Sequence, residues 1–148
     1  MQPHDLQAES LRLWVIFSRT YAAVASRAQA DVARHGLTIA EFGVLEALHH
    51  KGPLLLSELK EKILVSNAGV TYLVDRLEKR GMVERRRCDR DRRAYYAHLT
   101  AEGSAFVEQI FPEHAAAITA AFGVLDDEER AAVTALLRRV GKHAAEPV

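Results

Sequence analysis

Residues 56–99 constrain this chain more than any other stretch. They run LSELKEKILVSNAGVTYLVDRLEKRGMVERRRCDRDRRAYYAHL. Two short helical patterns come first, then a strand, an arginine-crowded loop and a second strand. Ser66 stands where an N-cap accepts a bond from a free first-turn N–H. Val65 and Val70 occupy the N′ and N4 positions of a hydrophobic staple. Val70, Leu73, Val74 and Leu77 repeat at i, i+3, i+4, i+7 and make one apolar face. Gly81 follows where a left-handed C′ residue is expected, and Lys79 and Arg80 put cations at the negative end of the helix dipole.

The opposite face of that helix carries Asn67, Ala68, Thr71, Tyr72, Asp75 and Arg76. Asparagine pairs two-pronged with adenine, threonine and alanine touch a thymine methyl, and arginine reaches guanine or phosphate. A shorter helix, Leu56–Ile63, precedes it, with Leu59 and Ile63 at i, i+4 and only Leu64 and Val65 between the two. That is the spacing of a helix-turn-helix, whose second helix enters the major groove. The alternative is an ordinary αα-hairpin with a solvated outer face.

Met82–Arg87 and Ala94–Leu99 are predicted as two strands, with Val83 and then Tyr95, Ala97 and Leu99 on alternating positions. From Arg85 to Arg93 the link between them holds six arginines and two aspartates, a local charge of +4. A hairpin tip this basic has no core to bury and suits a wing beside DNA, with arginine on phosphate or in a narrow minor groove. Asp89 and Asp91 are interleaved where ion pairing would orient the arginines.

The LVDRLEKRG run, the DRR of the wing and the LTAEG that opens the next helix strongly resemble the MarR family of bacterial transcription regulators. The resemblance in architecture runs from about Leu6 to the end of the chain. It implies a winged helix-turn-helix homodimer on a pseudo-palindrome, usually a repressor relieved by ligand. By position, Ser66, Asn67, Ala68, Thr71, Tyr72 and Arg76 would lie in or beside the major groove, and Arg90, Arg92 and Arg93 would form the wing. Cys88 before Asp-x-Asp-Arg-Arg, and the later IFPEH, also resemble the branch that includes hydroquinone-responsive repressors.

The expected fold is therefore mainly α with a small β-hairpin. Residues 1–36 would form an N-terminal dimerisation helix, 37–100 the winged helix-turn-helix DNA-binding domain, and 101–148 the C-terminal dimerisation helices. The formal net charge of zero is at first sight wrong for a partner of double-stranded DNA. Its distribution resolves this: residues 51–100 carry net +5, the flanking parts −1 and −4. An apolar fraction of 49% supports a real core. No run of 18 apolar residues suggests a membrane span, and MQPHDLQAES lacks the character of a signal peptide. The single cysteine excludes an intrachain disulfide framework and fits a reducing cytoplasm. No phosphate-binding Gly-rich loop, HExxH or GxSxG is present, so neither catalysis nor a cofactor is expected.

A long helix is expected from Asp5 to about His35, stopped by Gly36. Thr38 and Glu41 then make a capping box for a helix from Ile39 to about His50. After the wing, Thr100 caps a helix that Pro112 should kink or interrupt. Gly103 there replaces the glutamate of a capping box. Asp126 and Glu129 start the last helix, and the HAAEPV tail is expected to fray. The terminal helices carry too much apolar surface for one small winged helix, which implies interlocking with a second copy.

By the resemblance, an effector pocket would lie where the first helices meet the DNA-binding lobe. Trp14, Phe17, Arg19, Tyr21, Phe42 and His49 are the candidates there, an aromatic stripe with polar heads suited to a planar phenolic anion. Ordinary core or interface roles are the alternative. Cys88 amid arginines is a candidate reactive thiolate. For a metal, His49 or His50 could meet His114, but no HxxxH or Cys/His cluster supports it and no metal site is expected. The expected function is a DNA-binding repressor released by a small aromatic, phenolic or quinone-type effector. The alternatives are a winged-helix protein-interaction module and a redox-responsive regulator acting through Cys88.

Overall fold

The computed structural model describes residues 3–147. Among them the elements follow in the order α1 (Pro3–Ala33), α2 (Ile39–Lys51), β1 (Leu54–Leu55), α3 (Leu56–Ile63), α4 (Asn67–Lys79), β2 (Val83–Arg87), β3 (Tyr95–Leu99), α5 (Ala101–Ala121) and α6 (Asp127–Ala144). The helix starts are those their caps dictate. Thr38 and Glu41 close a capping box at α2, and Asp126 and Glu129 close one at α6. Ser66 accepts from the Gly69 N–H at 3.0 Å, and Thr100 accepts from the Gly103 N–H at 3.0 Å. Gly36 and Gly81, where left-handed stops are expected, have φ of +72° and +73°.

The core lies where α2, α3, α4 and the sheet meet the end of α1 and the middle of α5. Phe42, Leu45, Leu59, Val74, Leu77, Ala97 and Ile110 fill it. The four residues of the α4 stripe are all buried. β2 and β3 form the expected antiparallel hairpin, in register from Val83 opposite Leu99 to Arg87 opposite Tyr95.

Three expectations need correction. The sheet has a third strand: β1 pairs with β3, Leu54 opposite Ala97. Two residues are too few to show alternation in a sequence. Of the kink or interruption expected at Pro112, the interruption is absent: α5 runs through it. Pro112 and Glu108 are both exposed, so water can take the one carbonyl the proline leaves without a donor. The helix ends two residues into the HAAEPV tail rather than before it, since α6 continues to Ala144 and Ala145 to Pro147 lie beyond it; Val148 lies outside the described residues.

The two ends of the chain are built differently from the middle. Only the last third of α1 is buried, at Ala28, Asp31 and Val32. Before it, Trp14 is 64% and Tyr21 69% exposed. α6 buries none of its residues, and Leu136, Leu137 and Val140 all face outward. No described helix is long and apolar enough to cross a membrane.

Candidate nucleic-acid interface

α4 turns its polar face to solvent because its apolar stripe is sunk in the core. Asn67, Ala68, Thr71, Tyr72, Asp75 and Arg76 are all exposed, and Ser66 sits at the exposed N-terminal end. Ser66 Oγ is committed to the cap through Gly69. Arg76 lies over the Tyr72 ring at 5.6 Å from its centroid, and Arg76 Nη1 donates to Tyr72 Oη at 3.3 Å. That hydrogen bond to Tyr72 and then the charge of Glu41 outweigh desolvation and raise the Arg76 pKa above its ordinary value.

The wing is tied to this helix by Arg85 rather than merely adjoining it. Arg85 Nη1 contacts Asp75 Oδ1 at 2.7 Å and Glu78 Oε1 at 3.0 Å, while Nη2 donates to the Thr71 carbonyl at 3.3 Å. Burial works against the Arg85 charge, but the two carboxylates outweigh it and raise its pKa. Arg86 pairs with Glu84 on its own strand. Of the six arginines counted from the sequence, these two are therefore internally engaged. Arg87 leans on Tyr95 Oη at 3.5 Å.

The tip itself is closed by Cys88 N–H donating to the Ala94 carbonyl at 3.0 Å and by Ala94 N–H donating to the Asp91 carbonyl at 3.1 Å. Asp91 does not pair with a guanidinium as expected. Its Oδ1 accepts from the Arg93 backbone N–H at 2.9 Å and so shapes the turn. Among the described residues no ion pair reaches Asp89 either. A carboxylate that accepts the N–H two residues on needs no side-chain ordering beyond its own, which makes it the easier bond in an exposed tip. Arg90, Arg92 and Arg93 are left exposed and without an ion-pair partner among the described residues.

The candidate effector residues are dispersed in one chain. Trp14 and Phe17 are neighbours, with ring centroids 6.4 Å apart, on the exposed part of α1 with Arg19 and Tyr21. Phe42 is buried with its ring tilted against His114 at 4.4 Å between centroids, and His49 rests against His50 at 5.3 Å. None of the six lines either of two grooves, one of about 480 Å³ between the end of α5 and α6 and one of about 470 Å³ between α2 and α3. Cys88 is half-buried just past β2.

His49 and His50 do not meet His114. His50 packs on Phe111 at 5.2 Å, whereas His114 Nδ1 donates to Asp31 Oδ2 at 3.1 Å. The fold instead gathers Asp31, His35 and Glu113, whose ligand-capable atoms lie within 4.8 Å of one another. Arg34 Nη2 already contacts Asp31 Oδ1 at 2.7 Å and Glu113 Oε2 at 3.4 Å, so a guanidinium occupies the cationic place between these carboxylates. Sequence reasoning also read Glu41 only as a capping residue, whereas it is 1% exposed and faces Arg76 of α4 and Arg80 just past its end. Nothing local in the sequence signals either cluster.

Comparison with known proteins agrees with this geometry. The MarR family profile matches residues 35–94, which contain the helix-turn-helix and the wing tip. The HTH-type transcriptional regulator MhqR of Bacillus subtilis is 38% identical over 136 residues, 92% of this chain and 94% of that protein. A MarR family transcriptional regulator from Streptomyces coelicolor, solved in complex with DNA, superposes with a TM-score of 0.87 at 25% identity over 94% of this chain and 89% of that one. BpsR of Bordetella bronchiseptica, whose DNA binding is regulated by 6-hydroxynicotinic acid, superposes with a TM-score of 0.79 at 30% identity over 88% and 98%. The exposed polar helix, the arginine tip and these similarities together show that this chain belongs to the MarR family of DNA-binding transcriptional regulators, which are not enzymes.

Proposed function

We propose that this regulator is a homodimeric repressor that leaves a pseudo-palindromic operator when a small aromatic effector binds. The observation that carries it is an exposed polar helix tied through Arg85 to a basic hairpin. The exposed face of α4 supplies base-reading chemistry, and Arg90, Arg92 and Arg93 at the hairpin tip supply three exposed cations with no ion-pair partner among the described residues. In this reading residues 37–100 form the DNA-binding unit, and Ser66, Asn67, Ala68, Thr71, Tyr72 and Arg76 enter or flank the major groove. The outward apolar faces of α1 and α6 pack on a second copy, so residues 1–36 and 101–148 are the dimerisation parts. Such a dimer places its two α4 helices about 34 Å apart, one turn of DNA.

Dimer formation also explains why the candidate effector residues are scattered in one chain. Trp14, Phe17, Arg19 and Tyr21 gain walls only when the partner covers α1. The regulation of BpsR by 6-hydroxynicotinic acid supports an aromatic acid or phenol as the effector class. The effector shifts the population toward dimers whose α4 helices are wrongly spaced. A tenfold loss of operator affinity needs only about 1.4 kcal/mol of coupling. The site of action is the cytoplasm.

The test is fluorescence anisotropy on fragments selected from genomic DNA, across a salt series, with light scattering in parallel. Scattering is expected to give twice the 16.5 kDa mass of one chain. Arg92→Ala and Arg93→Ala are expected to weaken binding roughly equally on all sequences and each to lower the salt slope by about 1. Asn67→Ala and Thr71→Ala are expected to change base preference instead. Wild-type affinity and preference in all four variants would refute the interface. Indifference to phenols, aromatic acids and quinones would refute the effector class.

A further inference from the structure

Glu41 carries a charge that its local role does not require. It is almost wholly buried at the start of α2, and its two carboxylate oxygens have different surroundings. Oε1 accepts from the Thr38 N–H at 3.2 Å, while Thr38 Oγ1 accepts from the Glu41 N–H at 3.1 Å. That capping box closes as well with a neutral glutamine. Oε2 has no hydrogen-bond partner among the described residues. What faces it is a pair of guanidiniums, Arg76 Nε of α4 at 3.7 Å and Nη1 of the C-cap residue Arg80 at 3.8 Å. A buried carboxylate oxygen is costly unless opposite charge faces it, and these two arginines supply that charge.

The consequence for Arg76 is restraint at two of its three nitrogens. One Nη1 N–H is given to Tyr72 Oη and Nε faces Glu41, which leaves Nη2 and the second Nη1 N–H for an acceptor outside the chain. Arg80 Nη1 also donates to the Gly36 carbonyl at 2.8 Å. The same carboxylate thus sits where the α1–α2 turn, the first turn of α2 and the second half of α4 come together. We propose that Glu41 is a positioning residue for DNA recognition: its buried carboxylate holds the Arg76 guanidinium in the orientation that meets DNA. Glu41 does not touch DNA itself. An arginine restrained before binding has less side-chain freedom to lose on binding, which is the source of the gain. The proposal rests on the reading of Arg76 as a DNA contact.

The experiment is a double-mutant cycle of Glu41→Gln and Arg76→Ala, read by anisotropy on the selected operator and by thermal melting. Glu41→Gln keeps the cap and removes the charge. It is expected to weaken operator binding by about 3- to 10-fold with little change in Tm, and to weaken nothing further in the Arg76→Ala background. Thr38→Ala is the control for the cap: Tm falls and operator affinity stays. Unchanged or tighter binding by Glu41→Gln beside a weakened Arg76→Ala overturns the positioning role. So does an equal loss in both backgrounds, a Thr38→Ala loss matching that of Glu41→Gln, or a Glu41→Gln chain that does not fold. If Arg76→Ala itself binds like the wild type, the DNA-contact reading fails first and the proposal falls with it.

Discussion

A β-carbon on Gly103 would overlap the Met82 carbonyl oxygen and lie 2.8 Å from the carbonyl carbon. That carbonyl accepts from the Thr100 N–H at 3.0 Å, and Thr100 Oγ1 donates to the Gly81 carbonyl at 2.6 Å. The first turn of α5 is thus bonded directly onto the entry to β2, and only a residue without a side chain fits. Gly103→Ala is expected to destabilise the fold by about 3 kcal/mol, seen as a lowered urea midpoint. In the sequence Gly103 looks only like a cap without its glutamate, because the atom it must clear belongs to the other side of the wing. Leu64 is a second residue whose setting the periodicity does not show. It has φ +57° and is 90% exposed in the turn before α4. Nothing in the chain explains a leucine there.

At the scale of elements, α4 was legible from end to end. Its cap, its buried stripe and its left-handed stop are all local signals, and the structure honours each. The wing was legible as a hairpin but not in its attachments. Charge counting treats its arginines alike, whereas the structure divides them into braces and free cations. Arg85 belongs to the first kind, joining β2 to Asp75, Glu78 and the Thr71 carbonyl of α4. Arg85→Ala is expected to lower stability by about 1 kcal/mol, since its pairs are partly exposed. It is expected to weaken operator binding by loosening the wing while leaving the salt slope at its wild-type value. A slope lowered by about 1 would mean that Arg85 touches phosphate after all. β1 escaped notice because its partner, Ala97 of β3, is remote in the chain.

Across the whole molecule, α1 is held to α5 by a buried hydrogen bond between His114 and Asp31 as well as by packing. Burial alone would raise the Asp31 carboxyl. Hydrogen bonds and charge from Arg34 and His114 outweigh it and hold the pKa below the ordinary value. A carboxyl with a depressed folded-state pKa contributes stability above the unfolded value of about 3.9, and that contribution is lost as pH falls through the folded-state value. His98 of β3 acts in the same direction. Burial and then Arg86 lower its pKa, so its contribution to stability falls as pH drops below about 6.5. Asp31→Asn is expected to lose about 1.5–3 kcal/mol at neutral pH. Its denaturant midpoint should also vary less than the wild type's between about pH 5 and pH 2. A parallel pH profile would show that Asp31 titrates as an ordinary carboxyl.

Much that depends on neighbours within a few turns was readable from the chain alone, though not the continuity of α5 through Pro112, the left-handed Leu64 or the Asp91 turn. Helix starts at Thr38, Ser66, Thr100 and Asp126, the stops at Gly36 and Gly81, the polar face of α4 and the basic tip of the wing are all written in short-range pattern. Which charges answer one another was settled only by how the elements pack. Glu41 with Arg76 and Arg85 with Asp75 each join residues from different elements. Ion pairs of this kind carry no periodicity, because a charged side chain is placed by whatever element packs against its own.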